Sequence, residues 1–203
     1  MEQRMEAVLA AQPFWGIRGI LPASGGMQPD RPLGPILRQY DSARPRLGRR
    51  GKGGQHRQAF GHSRGGFSTK IHLKTDLDGN PLDFHLTGGE ASDSTQFETS
   101  LDIGPDIQPR IAMTDKGYDS QANRAAACAR GITPVIPRRE NSKQRGRFFP
   151  KHLYKLRARI EQTIGKLKRF KRVAMRCEKT DISYSAIVSF ACGLILVKSV
   201  HTA

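Results

Sequence analysis

Between Gly66 and Thr87 apolar and polar residues alternate with a period of two, the spacing of strands with a buried face. Phe67, Ile71 and Leu73 share one face of a run ending at Thr75, and Pro81–Thr87 alternates again. The segment between them, Asp76-Leu77-Asp78-Gly79-Asn80-Pro81, is a turn with glycine where positive φ is cheap, so the two runs predict a β-hairpin. Ser92–Leu101 opens with small polar capping residues and reads as a helix. Arg110–Thr114 is a short apolar run ending at Asp115, the pattern of a buried strand. Ser120–Arg130 is alanine-rich and stops at Gly131, a helix with its terminal glycine, and Ile132–Pro137 is another short strand. From Pro150 to about Arg172 the apolar residues Leu153, Leu156, Ile160, Ile164 and Leu167 recur at three and four, predicting one long helix. Tyr184–Val200 reads as a mostly buried helix. Hairpin, helix, strand, helix, strand and two helices in order make a mixed α/β domain.

Residues 1–50 keep no such period. Pro13, Gly16, Gly19, Pro22, Gly25, Gly26, Pro29, Pro32, Gly34 and Pro35 interrupt both helix and strand, so this stretch is expected to be irregular. Arg44–Arg57, with six Arg/Lys and four glycines, reads as a basic linker. The expected division is a Pro/Gly/Arg-rich extension over 1–50 and one folded domain over 51–203.

Charge narrows the function. The chain of 203 residues carries 34 Lys+Arg against 18 Asp+Glu, a formal net charge of +16. Such an excess points to a polyanionic partner, most simply nucleic acid, over a basic protein that is merely soluble. Cys128, Cys177 and Cys192 form no Cys-x-x-Cys pair, which excludes a disulfide framework or a structural zinc knuckle as the organising device. Residues 1–20 lack a basic start followed by an apolar run, and the apolar stretch Ala186–Val197 is shorter than the ~20 residues of a bilayer span. A cytoplasmic protein is expected, with no membrane partner.

Two carboxylates stand where chemistry can be aimed. Asp115 lies just past a buried strand, and Glu161 lies on the long helix. Carboxylates on rigid elements suit hard divalent cations such as Mg²⁺. Glu161 is also surrounded by Lys155, Arg157, Arg159, Lys166, Lys168, Arg169, Lys171 and Arg172, so a salt-bridge role stays open on the residues alone. On one continuous helix, Arg157 sits a turn before Glu161 and Lys168 two turns after it, so Tyr154, Glu161 and Lys168 would form one stripe.

The spacing Tyr154-x2-Arg157-x3-Glu161-x6-Lys168 resembles the segment around the last catalytic Glu of bacterial insertion-sequence transposases. Thr114-Asp115-Lys116-Gly117-Tyr118-Asp119 resembles the segment of their second catalytic Asp. The blocks Gly61–His72, Leu86–Asp93 and Val135–Arg139 fit the same family in order. The chain thus resembles a DDE transposase of the IS-four/IS-five superfamily over about residues 51–197. The resemblance implies a ribonuclease-H-like fold, a mixed sheet flanked by helices. It implies Asp115 and Glu161 as catalytic residues and metal ligands for a pair of Mg²⁺ (or Mn²⁺) ions, which activate water or a DNA 3′-hydroxyl for attack on phosphodiesters. It assigns Tyr154, Arg157 and Lys168 to DNA near the cut, with Lys166, Arg169, Lys171 and Arg172 completing a basic DNA-binding helix. The partners it implies are double-stranded DNA (transposon ends and target) and a second copy of the chain on that DNA.

The resemblance also requires a first catalytic Asp on an opening strand. Asp41-Ser42 is the local candidate, yet Gln39 and Tyr40 precede it, Ala43-Arg44-Pro45 follow it, and Pro45 argues against a central strand. The fold is therefore expected to lack its first strand. A reading-frame account fits this expectation. Arg38-Gln39-Tyr40-Asp41 can be encoded CGA CAG TAC GAC, and after AT the shifted frame reads ATC GAC AGT ACG, or Ile-Asp-Ser-Thr. On that account residues 1–50 are an out-of-frame extension, and the chain is a truncated or inactive copy or a half joined by frameshifting to an upstream-frame product. Two rival functions are a non-catalytic basic DNA-binding protein and a related metal-dependent nuclease.

Overall fold

A computed structural model describes residues 33–42, 58–63, 66–139 and 149–201, apart from the Asp41 side chain. The predicted hairpin is present as β3 (Gly66–Thr75) and β4 (Pro81–Gly88), preceded by a short β2 (Gly61–Ser63) that pairs with the start of β3. β1 (Ile36–Ser42) runs antiparallel to β3, from Ile36 opposite Thr75 to Ser42 opposite Thr69. On its other edge β1 runs parallel to β5 (Ile111–Thr114), and β5 runs parallel to β6 (Thr133–Val135). The sheet order is thus β4-β3-β1-β5-β6, the mixed ribonuclease-H-like sheet that the resemblance implies.

β1 corrects two expectations. Residues 36–42 are not irregular, and the first strand is not missing; it is the central strand of the sheet. The reason lies in its two apolar residues. Ile36 packs with Ile71, Met113, Ile160 and Ile164, while Leu37 packs with Phe97, Ala112, Tyr118 and Ala127. A strand covered on both faces shows adjacent apolar residues instead of alternation. Gly34 brings the chain in: at φ +126 it passes so close to β5 that a Cβ would fall 1.6 Å from the Ile111 carbonyl oxygen. Asp41 pairs through its backbone register with Lys70, and its side chain lies outside the described residues. Pro45, the rest of the 1–50 extension and most of the Arg44–Arg57 linker lie outside them as well.

Helices cover both faces. A 3₁₀ turn (Asp93–Gln96) leads into α1 (Phe97–Asp102), and α2 (Gln121–Ala129) ends where Gly131 turns at φ +67. Phe97, Leu101 and Ala127 of these helices bury Leu37. The opposite face takes the C-terminal helices. The single helix expected from Pro150 to Arg172 is instead α3 (Lys151–Tyr154), α4 (Arg157–Lys168) and α5 (Lys171–Met175). Between α3 and α4 the amides of Leu156, Ala158 and Arg159 bond three residues back, a 3₁₀ tightening, and Phe170 is extended before α5.

α6 (Asp181–His201) starts earlier than expected and is less buried. Tyr184, Val188, Ala191, Cys192 and Ile195 form its core stripe, whereas Ile182, Phe190, Val197 and Val200 are exposed. Its 21 residues satisfy by length and composition what a bilayer span needs, so the twelve-residue apolar stretch understated it.

His72 and His85 face each other across β3 and β4, rings stacked 4.5 Å apart, with His72 Nε2 2.8 Å from Thr87 Oγ1. Burial first, then the neighbouring His85 and Lys70, lowers the His72 pKa to about 3. The folded value lies below the unfolded ~6.5, so the unfolded chain takes up the proton first. Stability is intact above about pH 6.5 and falls toward pH 3, by at most about 1.4 kcal/mol per unit for this group. Urea unfolding at pH 7 and pH 4.5 should show a smaller loss for His72→Gln than for the parent chain; equal losses would contradict the account.

Candidate active site

Asp115 follows the last residue of β5, and a 3₁₀ turn fixes its direction. Its Oδ1 accepts from the Lys116 amide at 2.7 Å, capping the turn Lys116–Tyr118, while Tyr118 is buried against Phe97. Glu161 is set by the docking of α4. Ile160, Ile164 and Leu167 enter the main core, and Thr163 donates to the Gly79 carbonyl of the hairpin turn. Gly79 has φ +88, and a Cβ there would lie 2.9 Å from the Arg159 carbonyl oxygen, so glycine permits both the turn and the close helix.

These two dockings bring Asp115 and Glu161 together at the rim of the sheet. Arg157 spans them, with Nη1 3.3 Å from Asp115 Oδ2 and Nη2 2.9 Å from Glu161 Oε1. Arg38 of β1 donates from Nη1 to the same Glu161 oxygen. The carboxylates stay part-exposed, at 37% and 41%. An open cleft of about 450 Å³ runs from Arg38 and Glu161 to Lys168, floored by Gly165 and Ile164. Lys168 lies over the Tyr40 ring, Nζ 4.6 Å from its centre.

The remaining sequence-predicted residues divide. Lys168 ends the helix α4 that carries Glu161, whereas Tyr154 ends α3 and does not share one continuous helix with Glu161, because the chain tightens between α3 and α4. Tyr154 still reaches the site through Arg157, whose guanidinium lies 5.3 Å from its ring centre, and burial raises its pKa. Lys166, Arg169 and Lys171 are exposed. Arg172 is held elsewhere, pairing with the buried Glu178, Nε to Oε1 2.7 Å.

Sequence reasoning missed Arg38, Gln39 and Tyr40. The signal was the Ile36-Leu37 pair, which reads as a two-sided strand start once alternation is not demanded. Gln39 donates to Asp93, which also pairs with Lys70 Nζ at 3.1 Å. Asp93 thereby ties β1 and β3 to the 3₁₀ turn before α1.

The residues do not fit the implied pair of divalent ions. A magnesium ion needs several hard oxygens, with protein carboxylates supplying part of the shell. Here Glu161 Oε1 accepts from two guanidiniums, and both Asp115 oxygens face donors. Two arginines neutralise the two acids, and among the described residues no group of three His, Cys, Asp or Glu is placed to hold a metal.

A family model described as "Transposase DDE domain" matches residues 40–196. A putative transposase for insertion sequence element IS402 from Burkholderia cepacia is 35% identical over 136 residues, 63% of this chain and 62% of that protein. A putative transposase for insertion sequence element IS6501 from Brucella ovis is 30% identical over 131 residues, 64% of this chain and 99% of that protein. The chain thus matches less than two thirds of the length of the IS402 relative. Among solved structures, a chain of the simian T-cell lymphotropic virus intasome is 15% identical, with TM-score 0.42 over 85% of this chain and 51% of its own. A chain of the Mos1 strand transfer complex is 10% identical, with TM-score 0.35 over 65% and 52%.

Gly165 gives a direct check on the cleft. A Cβ there meets nothing within 4 Å, and helix-interior glycine is costly. Gly165→Ala should raise stability by about 0.5–1 kcal/mol in urea unfolding; a loss would mean that the cleft floor is more crowded than described.

Proposed function

Because the chain belongs to the transposase DDE domain family, we propose that it serves an insertion-sequence transposase as a duplex-DNA-binding domain whose phosphoryl-transfer site is held neutral and does not cut by itself. The observation that carries this reading is Arg157 bridging Asp115 and Glu161, two acids from separate elements, with Glu161 lining an open cleft. A converging acid pair beside a basic surface suits a site that meets phosphodiesters. A merely structural ion pair would not need the adjoining cleft with Lys168 at its other end.

The partner in this reading is double-stranded DNA, at transposon ends and target, in the bacterial cytoplasm. From Arg138 to Lys179 the chain has 16 Lys/Arg against Glu140, Glu161 and Glu178. Lys168 at the cleft and exposed Lys166, Arg169 and Lys171 offer cations to the phosphate backbone, and Tyr154 keeps Arg157 in place beside the acids. Arg172 contributes less, since Glu178 holds it.

Cleavage and strand transfer need charge stabilisation on both attacking and leaving oxygens, which metal pairs supply in such reactions. The arginine-held acids of this chain do not supply that setting, so the reading separates binding from cutting. It includes a second copy of the chain on paired DNA ends and, where the gene is read in two frames, an upstream-frame product.

The test is duplex binding by fluorescence anisotropy together with nicking of supercoiled plasmid in Mg²⁺ or Mn²⁺. If six or more phosphates are contacted, affinity should fall roughly a thousandfold between 50 and 200 mM salt. Plasmid should remain supercoiled. A flat salt response would remove the DNA-binding reading, and robust nicking would show that the acid pair works as it stands.

A further inference from the structure

Three positions from three separate elements come together at the rim of the sheet, beside the cleft: 38 on β1, 115 after β5 and 161 on α4. The parallel register pairs Ile36 with Met113 and Leu37 with Thr114, so the next residue of each strand is Arg38 on one and Asp115 on the other. Two of the three positions carry carboxylates. The third carries a guanidinium that donates to Glu161 Oε1, the oxygen that Arg157 also holds at 2.9 Å. Arg157 belongs to the helix of Glu161, one turn away, and is an ordinary (i, i+4) partner. Arg38 is different: it reaches the acid from the central strand, across the interface between sheet and helix.

We propose that Arg38 is a built-in counter-cation, occupying the space between β1 and Glu161 that a divalent ion would need, and that its charge keeps such an ion from Glu161. The inference rests on the reading of Asp115 and Glu161 as the working acids of the site. Its physical basis is short. A fixed positive charge within ion-pair distance repels an incoming cation and occupies the oxygen that would ligate it. An aspartate at 38 would change the local charge by two units and add an oxygen donor on a rigid strand beside Asp115. Ligand count and charge are what a hard cation responds to. The strand itself needs no rebuilding, since Ile36 and Leu37 already anchor it on both faces.

The test uses Mn²⁺ as the probe, binding being read from loss of the free-ion EPR signal in metal-stripped protein. The chain as it stands should show no saturable binding below about millimolar Mn²⁺. Arg38→Asp should bind at least tenfold more tightly, and Mn²⁺ should then raise its melting temperature by linkage. Adding Glu161→Gln to Arg38→Asp should abolish the gain, placing the ion on Glu161. Should Arg38→Asp fail to fold by circular dichroism, Arg38→Gln carries the test, with binding at least threefold tighter than the parent. Saturable binding by the parent equal to that of either folded variant overturns the inference, as does a gain that survives Glu161→Gln. Duplex affinity of the same samples in EDTA separates the two readings. Lost DNA binding with the metal result intact sinks the proposed function alone, and intact DNA binding without the metal gain sinks this inference alone.

Discussion

The docking of α4 on the sheet, which sets the Arg157 guanidinium between Asp115 and Glu161, is the constraint on which the cleft depends. That bridge exists because three packings coincide. The Gly79 turn accepts α4 at close range, Ile160 and Leu167 sink into the core beside Ile36 and Ile71, and the capped turn after β5 points Asp115 to the rim. The ion pairs do not hold this arrangement. Each involves part-exposed groups, and such pairs contribute about 0–1 kcal/mol. Apolar docking fixes the geometry, and the ion pairs then set the charge of the site.

That charge explains how a chain with net +16 presents acids at its cleft without a large local repulsion or attraction. Arg38 and Arg157 neutralise Asp115 and Glu161, so the cations left for a polyanion are those beyond them: Lys168 at the cleft end and Lys166, Arg169 and Lys171 on the outer surface. The break between α3 and α4 contributes as well. It takes Tyr154 off the helix that carries Glu161 and Lys168 and leaves its ring beneath the Arg157 guanidinium.

Much of this was legible in the sequence, for physical reasons that differ by element. The β3–β4 hairpin was readable because both strands alternate around a glycine turn, and β5 because a short apolar run stopped at Asp115. The meeting of Asp115 and Glu161 was readable only through motif spacing, since no local pattern links a strand end to a distant helix. β1 escaped because it is covered on both faces: Ile36 and Leu37 are adjacent, and the polar Arg38-Gln39-Tyr40 that follows is turned to ion pairs and cleft lining. Periodicity predicts one long helix where there are three, because apolar spacing of three and four continues through a 3₁₀ tightening that it does not register. α6 reads as mostly buried because composition cannot separate its one packed stripe from the exposed Ile182, Phe190, Val197 and Val200. The codon overlay sets the aspartate of Ile-Asp-Ser-Thr across codons 38 and 39, the stretch of β1 where Arg38 meets Glu161.

The central claim is that Glu161 withholds two arginines from whatever anion the cleft meets. Duplex-DNA affinity of Glu161→Gln against the parent chain, in metal-free buffer across a salt series, measures this most directly. Release of Arg38, with Arg157 left to Asp115 alone, should tighten binding several-fold at about 50 mM salt and steepen the log–log salt slope by about 1 for each added phosphate contact. Unchanged or weaker binding by the folded variant, with an unchanged slope, would contradict it.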